Sequence, residues 1–174
     1  KQHFEFPLYK AADFHAICRK HRDGNLKSIV KEILEVEAPL SEELLLKRIP
    51  WYFDRQKVTS VVRREYEQKM WGYEGYGIIR RSGFLYLKDG REILFRRPGD
   101  LTRNIEQIAP EELAAGMREI LGQNLTADKD GLYRALAAQC GVTRMGATVM
   151  ETLNQALYLL KDSIVIEDDY ISLR

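Results

Sequence analysis

Three side chains that can bind zinc lie close together near the start of the chain. His15, Cys18 and His21 are spaced by three residues, so on a helix all three would share one broad face. Structural zinc sites, however, use four ligands that come in close pairs from separate elements. The only further candidate nearby is His3. The pattern therefore favours the absence of a metal site.

Two patterns associated with catalysis are incomplete. Asp54, followed by Glu67 and Lys69, is similar to the carboxylate–lysine pattern of nucleases that hold Mg²⁺ between carboxylates at strand ends. Glu67 and Lys69 lie in a helical pattern two residues apart, so they point to different sides. The chain has no G-x-x-x-x-G-K loop and no nucleophile beside a histidine. We expect no catalytic residue, no ATP hydrolysis and no cofactor.

Seven positively charged side chains are the strongest candidates for a binding site. They belong to a predicted helix and hairpin, where lysine and arginine would neutralise phosphates and arginine would read guanine. The alternative is a solvated helix face with internal ion pairs, such as Arg63 with Glu67. The spacing leaves both interpretations open. The seven residues are Arg55, Lys57, Arg63, Arg64, Lys69, Arg80 and Arg81.

The charge of the chain is distributed unevenly. Residues 1–100 contain 20 Lys and Arg against 15 Asp and Glu, whereas residues 101–174 contain 7 against 11. The basic half is the better candidate for binding phosphate, and the acidic half is expected to have a different role.

The composition indicates a cytoplasmic globular protein. The 174 residues, 45% of them hydrophobic, are enough for one medium domain or two small ones. No signal peptide is visible, and no apolar run approaches the roughly 18 residues of a membrane span. Cys18 and Cys140 are far apart, which is typical of reduced thiols. Because the chain begins with Lys1, we interpret it as a fragment of a longer polypeptide.

The elements that would hold the seven cations occur twice. Lys31–Leu34 recurs as Arg118–Leu121 after 87 residues, and Phe84–Leu87 is answered by Tyr170–Leu173 after 86 residues. Two matches at nearly equal offsets, around the same pattern, predict an internal repeat. The predicted organisation is an N-terminal extension at 1–25, a first repeat at 26–88, an ordered linker at 89–109 and a second repeat at 110–174.

Each repeat is predicted to contain three helices and a β-hairpin. Apolar residues from Leu26 to Leu34 form one helical face, Pro39 ends that helix, and Ser41 caps the next. The first repeat is predicted to continue with helices at Glu42–Ile49 and Gln56–Met70 and strands at Gly77–Arg81 and Phe84–Lys88. The second is predicted to have helices at Pro110–Leu121, from Thr126 or Asp128 to Gly141, and at Met145–Leu160, with strands at Ser163–Ile166 and Tyr170–Leu173.

Three helices followed by a hairpin is the element order of the winged-helix fold. In that fold the second and third helices form a helix-turn-helix, and the hairpin is the wing. The predicted fold class is therefore α+β, mostly α, with two tandem winged-helix-like units.

Short motifs in the chain resemble a bacterial family. They are Glu35–Ser41 with Leu44 and Lys47-Arg48-Ile49, then Ile108–Leu113, then Gly141–Gly146. The family is the domain of unknown function at the C-terminal end of superfamily-one DNA helicase-like proteins, which often also carry a restriction-endonuclease-like domain. The resemblance covers about residues 7–174, although the first repeat has Arg55-Gln56-Lys57 where the second has Arg144-Met145-Gly146. It implies a DNA-processing parent protein and supplies no catalytic residue.

The second repeat is expected to bind or pack against protein. Its third helix has almost no positive charge before Lys161, and its hairpin carries three carboxylates that would repel phosphate, at 167–169. We expect Arg144 to tie its turn to a carboxylate or carbonyl. Two hypotheses remain: a DNA-binding accessory module of a helicase or nuclease-type parent, or a protein-interaction or dimerisation module that docks on the parent's motor domain.

Overall fold

A computed structural model describes residues 4–174 of the chain. Within that range the fold is α+β, with seven α-helices and two three-stranded antiparallel sheets. The chain divides into two compact units, which we call the first unit, residues 10–91, and the second unit, residues 4–9 with 92–174. No helix of the described residues has the length and apolarity that a membrane span requires.

The helices of the first unit begin at residues that cap them. The side chain of Asn25 accepts hydrogen bonds from the first turn of α2, Ser41 does the same for α3, and Thr59 does so for α4. The unit has its sheet in the order β1-β3-β2. Its elements are α1 (Phe14–Lys20), α2 (Leu26–Glu37), β1 (Leu40–Ser41), α3 (Glu42–Arg48), α4 (Ser60–Met70), β2 (Ile78–Arg81) and β3 (Phe84–Leu87).

The second unit has the same order of helices and strands that the first unit has after α1. Its sheet runs β4-β6-β5, which matches the strand order of the first unit. Its elements are α5 (Pro110–Asn124), β4 (Thr126–Asp128), α6 (Lys129–Gln139), α7 (Ala147–Tyr158), β5 (Ile164–Glu167) and β6 (Tyr170–Leu173).

Equivalent residues hold the two repeats in the same local geometry. The caps Ser41 and Asp128 lie 87 residues apart and begin the second helix of each repeat. Ser82 and Asp168 lie 86 residues apart and turn each hairpin with positive φ angles of 51° and 54°. The predicted repeat is therefore confirmed in element order, and the two sheets also share one strand order. The change of offset means that one residue fewer separates the third helix from the hairpin in the second repeat.

The structure corrects some predicted boundaries. The third helix of the first repeat begins at Ser60 and not at Gln56, because Asp54 adopts a left-handed conformation and Thr59 provides the cap. Pro50 opens a short 3-10 helix that ends at Phe53. The short strands β1 and β4 were not predicted as elements, since two or three residues carry no periodic signal. Helix α1, which has seven residues, was not predicted either.

The segment predicted as a linker contributes to the interior of the second unit. Phe95, Ile105 and Ile108 are each at most 3% exposed and pack in its hydrophobic core. The chain at 4–9 runs beside the same segment, and the backbone N–H of Tyr9 donates to the carbonyl of Arg97 at 2.9 Å. A different set of residues forms the core of the first unit, and most of them belong to α2, α3, α4 and the sheet.

Candidate nucleic-acid interface

Helix α4 has one buried stripe and a charged solvent side. Val62, Tyr66 and Met70 are each at most 1% exposed and follow one another at intervals of four residues. With about 100° between successive residues, Arg64 lies roughly opposite the centre of that stripe. Arg63 and Lys69 lie about 60° to either side of the centre of the buried stripe. Cations therefore occupy the outermost position of the helix and both of its flanks.

Five of the predicted cations lie on α4 or just before it, and all five are exposed to solvent. None of them forms an ion pair with a carboxylate in residues 4–174, so their positive charge is not compensated by a direct contact there. We call this group the cationic surface. It consists of Arg55 and Lys57, which precede α4, and Arg63, Arg64 and Lys69, which lie on it.

Arg80 differs from these five because two carboxylates hold it. Its Nε donates to Oε1 of Glu42 at 2.7 Å, and its Nη1 donates to Oε2 of Glu67 at 2.8 Å. The hydroxyl of Tyr66 donates to the other oxygen of Glu42, also at 2.7 Å. The intrahelical pair considered between Arg63 and Glu67 is not formed, since Glu67 is engaged by Arg80 from the hairpin. Arg80 thus ties β2 to α3 and α4.

The ionisation of this cluster follows from its contacts. The hydrogen bond from Arg80 lowers the pKa of Glu67, despite partial burial of that carboxyl group. Burial, then the charge of Glu42, raises the pKa of the Tyr66 hydroxyl well above its usual range. Glu67 therefore stays charged and Tyr66 stays a hydrogen-bond donor at neutral pH.

The last of the seven cations, Arg81, lies on an aromatic ring. Its guanidinium carbon is 4.6 Å from the centre of the Tyr86 ring, a cation–π distance. Arg81 is nevertheless exposed at the end of β2, one residue before the hairpin turn. It presents positive charge close to the tip of the hairpin.

An exposed tryptophan adjoins the cationic surface. Trp71 directly follows α4 and is 83% exposed. Sequence reasoning missed it, because a tryptophan after an amphipathic helix is ordinarily expected in the core. Exposed aromatic rings beside cations are a common feature of surfaces that stack on nucleic-acid bases.

The second unit replaces most of these cations at equivalent positions. Counting 87 residues from α4 places Met150 at the position of Arg63 and Glu151 at that of Arg64. In the hairpin, where the offset is 86, Glu167 stands for Arg81. Arg144 is exposed and hydrogen-bonds to no described residue, so the structural role predicted for it is wrong. The hydrogen bond from Val142 N–H to the carbonyl of Ala137, at 2.9 Å, closes the turn at the end of α6 that precedes Arg144.

The metal-ligand and nuclease-like patterns considered from the sequence do not assemble in the described residues. His15 packs against the ring of Trp51, and His21 hydrogen-bonds to Glu32. Across residues 4–174 no three His, Cys, Asp or Glu side chains are grouped as metal ligands would be; His3 lies outside the described residues. The carboxylate of Glu67, part of the nuclease-like pattern, is bound by an arginine.

Comparison with known proteins does not add to this geometry. The chain matches no protein-family model, no curated protein and no solved structure. A functional interpretation therefore depends on the repeat, the cationic surface and the contacts described above.

Proposed function

We propose that the chain is a non-catalytic DNA-binding accessory module and that its first unit contacts the duplex through the cationic surface. One observation carries the proposal: five exposed cations surround α4 without a described carboxylate partner. Lysine and arginine in such an arrangement release counterions from phosphates, which provides most of non-specific DNA affinity. The excess of positive charge in residues 1–100 supports the same assignment.

The proposal includes a winged-helix fold for both repeats. Its support is the order helix, short strand, two helices and hairpin, together with the central position of the last strand in each sheet. In such a fold α4 is the recognition helix and the β2–β3 hairpin is the wing. The major groove of B-DNA is about 12 Å wide and has phosphates on both walls. Arg64 would face the floor of the groove, with Arg63 and Lys69 near opposite walls.

The parent protein is proposed from the resemblance alone. The motifs around Glu35–Ser41 and Ile108–Leu113 are similar to those of the helicase-like family, which implies a bacterial DNA-processing context. In that context the module would hold substrate DNA for a motor or nuclease located elsewhere in the polypeptide. Its partners would be DNA, without strong sequence preference, and the parent's other domains.

The test is a fluorescence anisotropy titration of a short labelled duplex with the whole chain. We expect a dissociation constant of roughly 10⁻⁴ to 10⁻⁶ M at physiological salt. The triple variant Arg63→Ala, Arg64→Ala and Lys69→Ala should bind at least about tenfold more weakly, because it lacks three charged contacts.

The control removes the same charge from elsewhere in the first unit. Arg19, Arg22 and Lys31 are exposed on or near α1 and α2, so their replacement by alanine should leave DNA affinity unchanged. Equal affinity of the α4 variant and the control would refute the proposed surface. Circular dichroism of each variant verifies that both remain folded.

A second function is favoured by the surface of the second unit. Tyr170 is 60% exposed on β6 beside the carboxylates of the hairpin, and Leu125 is 79% exposed just before β4, at the other end of the same sheet. Exposed apolar side chains among acidic groups fit a protein partner better than a phosphate backbone. If this surface dimerises the chain, sedimentation at rising concentration should detect a dimer. The double variant Tyr170→Ser and Leu125→Ser should abolish it.

A further inference from the structure

The second unit has an open cavity where the first unit has its ion-pair cluster. The cavity has a volume of about 610 Å³ and is lined by α6, α7 and the hairpin strand β5. In the first unit the equivalent place holds a smaller cavity of about 410 Å³, whose wall includes Arg80 and its ion-pair partner Glu67. The equivalent residues are Glu42 and Lys129, Glu67 and Asn154, and Arg80 and Ile166.

Three cations line this cavity, and no aspartate or glutamate does. The Nζ of Lys161 hydrogen-bonds to the Tyr158 hydroxyl at 3.0 Å, and the Nζ of Lys129 lies 5.5 Å from the centre of the Tyr133 ring. The Nε of Arg174 donates to the carbonyl of Ile164 at 3.2 Å. These contacts position the three cations without neutralising them, since none of the partners is a carboxylate.

The remaining wall of the cavity is apolar and partly accessible. Ile166 is 58% exposed and Tyr158 is 66% exposed, while Leu157 and Ile164 lie behind them and are buried. Asn154 adds one polar group, whose oxygen accepts the hydroxyl of Tyr133 at 2.6 Å. A ligand that fills this space needs an anionic group for the cations and a flat apolar part for Tyr158 and Ile166.

We propose that this cavity binds a nucleoside monophosphate, either as a free nucleotide or as the phosphorylated end of a strand. A phosphate monoester carries a charge of about −1.5 to −2 near pH 7, which suits a group of three cations. A base can stack on an exposed tyrosine, and the cavity volume is within the range of about 300–1,000 Å³ typical of ligand sites.

The neighbouring charges select a terminal phosphate over the interior of a strand. Glu167, Asp168 and Asp169 follow Ile166 directly in the hairpin, so a phosphate chain that continued past the cavity on that side would meet carboxylates. A single terminal phosphate avoids this repulsion. The site is on the second unit and does not depend on DNA binding by the cationic surface.

The first test is a titration of the isotopically labelled whole chain with AMP, followed by NMR chemical shifts. Backbone signals of Tyr158, Lys161 and Ile166 should shift in a saturable manner at millimolar AMP. Adenosine and inorganic phosphate should each bind at least about tenfold more weakly than AMP, because each lacks one half of the recognised chemistry. Equal affinity for AMP and inorganic phosphate would overturn the proposal. It would also be overturned if AMP gave no saturable shift and a 5′-phosphorylated oligonucleotide did not bind either.

Three variants locate the site. Lys161→Met and Lys129→Met should each weaken AMP binding about tenfold, since each removes a charged contact to phosphate. Ile166→Glu should abolish binding by placing a carboxylate in the cavity, and the exposure of Ile166 allows the substitution without loss of fold. Arg118→Met on α5 is the control: it removes one exposed positive charge away from the cavity and should leave AMP affinity unchanged. Wild-type affinity in all three cavity variants would place the ligand elsewhere.

Oligonucleotides distinguish the two sources of the ligand. They are tested with the triple α4 variant, so that DNA binding through the cationic surface does not contribute. If a 5′-phosphorylated oligonucleotide binds, AMP does not bind, and Lys161→Met removes the oligonucleotide binding, then the ligand is a strand end. The reverse result identifies a free nucleotide. Equal binding of the 5′-phosphorylated and 5′-hydroxyl strands, or binding of an acidic peptide without binding of either nucleotide form, would overturn the proposal.

Discussion

The substitution Glu112→Gln should destabilise the second unit strongly. Glu112 lies at the start of α5 and is 0% exposed, and Arg103 beside it is 6% exposed. The two guanidinium nitrogens of Arg103 donate to the Glu112 carboxylate at 2.7 and 2.9 Å, and Nη2 of Arg96 donates to it at 2.7 Å. Both guanidinium groups also lie over the ring of Tyr9, 4.5 and 4.6 Å from its centre. The Glu112 carboxylate therefore holds two arginines that have little access to water.

The magnitude follows from this burial. Glutamine keeps the shape of the side chain but removes its charge and turns an N–H group towards donors. Removing one partner of a buried ion pair costs about 3–5 kcal/mol. For a domain of this size, each kcal/mol lowers Tm by about 4–8 °C, so Tm should fall by at least about 12 °C. Differential scanning calorimetry measures it, with exposed Glu106→Gln as the control.

The pH dependence provides a second readout of the same carboxylate. Burial raises the pKa of Glu112, but the hydrogen bonds and charges of Arg103 and then Arg96 outweigh burial, and the pKa is lowered overall. A carboxyl group with a lowered folded-state pKa stabilises the fold above its unfolded pKa of about 4.3 and loses that contribution as pH falls through the folded value. The Tm difference between wild type and Glu112→Gln should therefore be complete at neutral pH and shrink only below about pH 4.3. A variant with wild-type Tm at neutral pH would refute this account of the cluster.

Two further predictions concern single positions. Arg80→Gln should lower Tm, because it leaves Glu42 without its cation, but should change duplex affinity less than twofold; a loss of affinity equal to that of the α4 variant would return Arg80 to the DNA surface. Gly116→Ala should cost about 1–3 kcal/mol in chemical denaturation, because its Cβ would lie 2.7 Å from Cδ1 of Leu136. Gly122→Ala, also in α5 but with its nearest contact at 3.8 Å, is the control and should be neutral or stabilising.

Local signals in the sequence were sufficient for helices α2 to α7 and for both hairpins, although not for α1. Ser41 and Pro110 mark helix starts that a capping side chain and a proline ring determine within a few residues. The internal repeat extended this information, since each element found in one repeat supports its counterpart in the other. The strands β1 and β4 were missed because their pairing with β3 and β6 depends on contacts more than 40 residues away in the sequence.

The contacts of individual cations required coordinates. Nothing in the spacing distinguishes Arg80, which two carboxylates hold, from Arg64, which is exposed, because Glu42 reaches Arg80 only through the tertiary fold. The cavity that we propose to bind a nucleotide could not be found from the sequence for the same reason. A position-by-position comparison of the repeats could have indicated it, since Ile166 replaces Arg80 and Lys129 replaces Glu42.

The most direct test of DNA binding through α4 is the salt dependence of duplex affinity. For the wild-type chain, the logarithm of the association constant should fall linearly with the logarithm of salt concentration, by about 0.9 per phosphate contacted. The triple variant at Arg63, Arg64 and Lys69 should have a slope that is shallower by about three units, one for each lost contact. The control variant at Arg19, Arg22 and Lys31 should keep the wild-type slope. Equal slopes for all three proteins would contradict the assignment of DNA binding to the cationic surface.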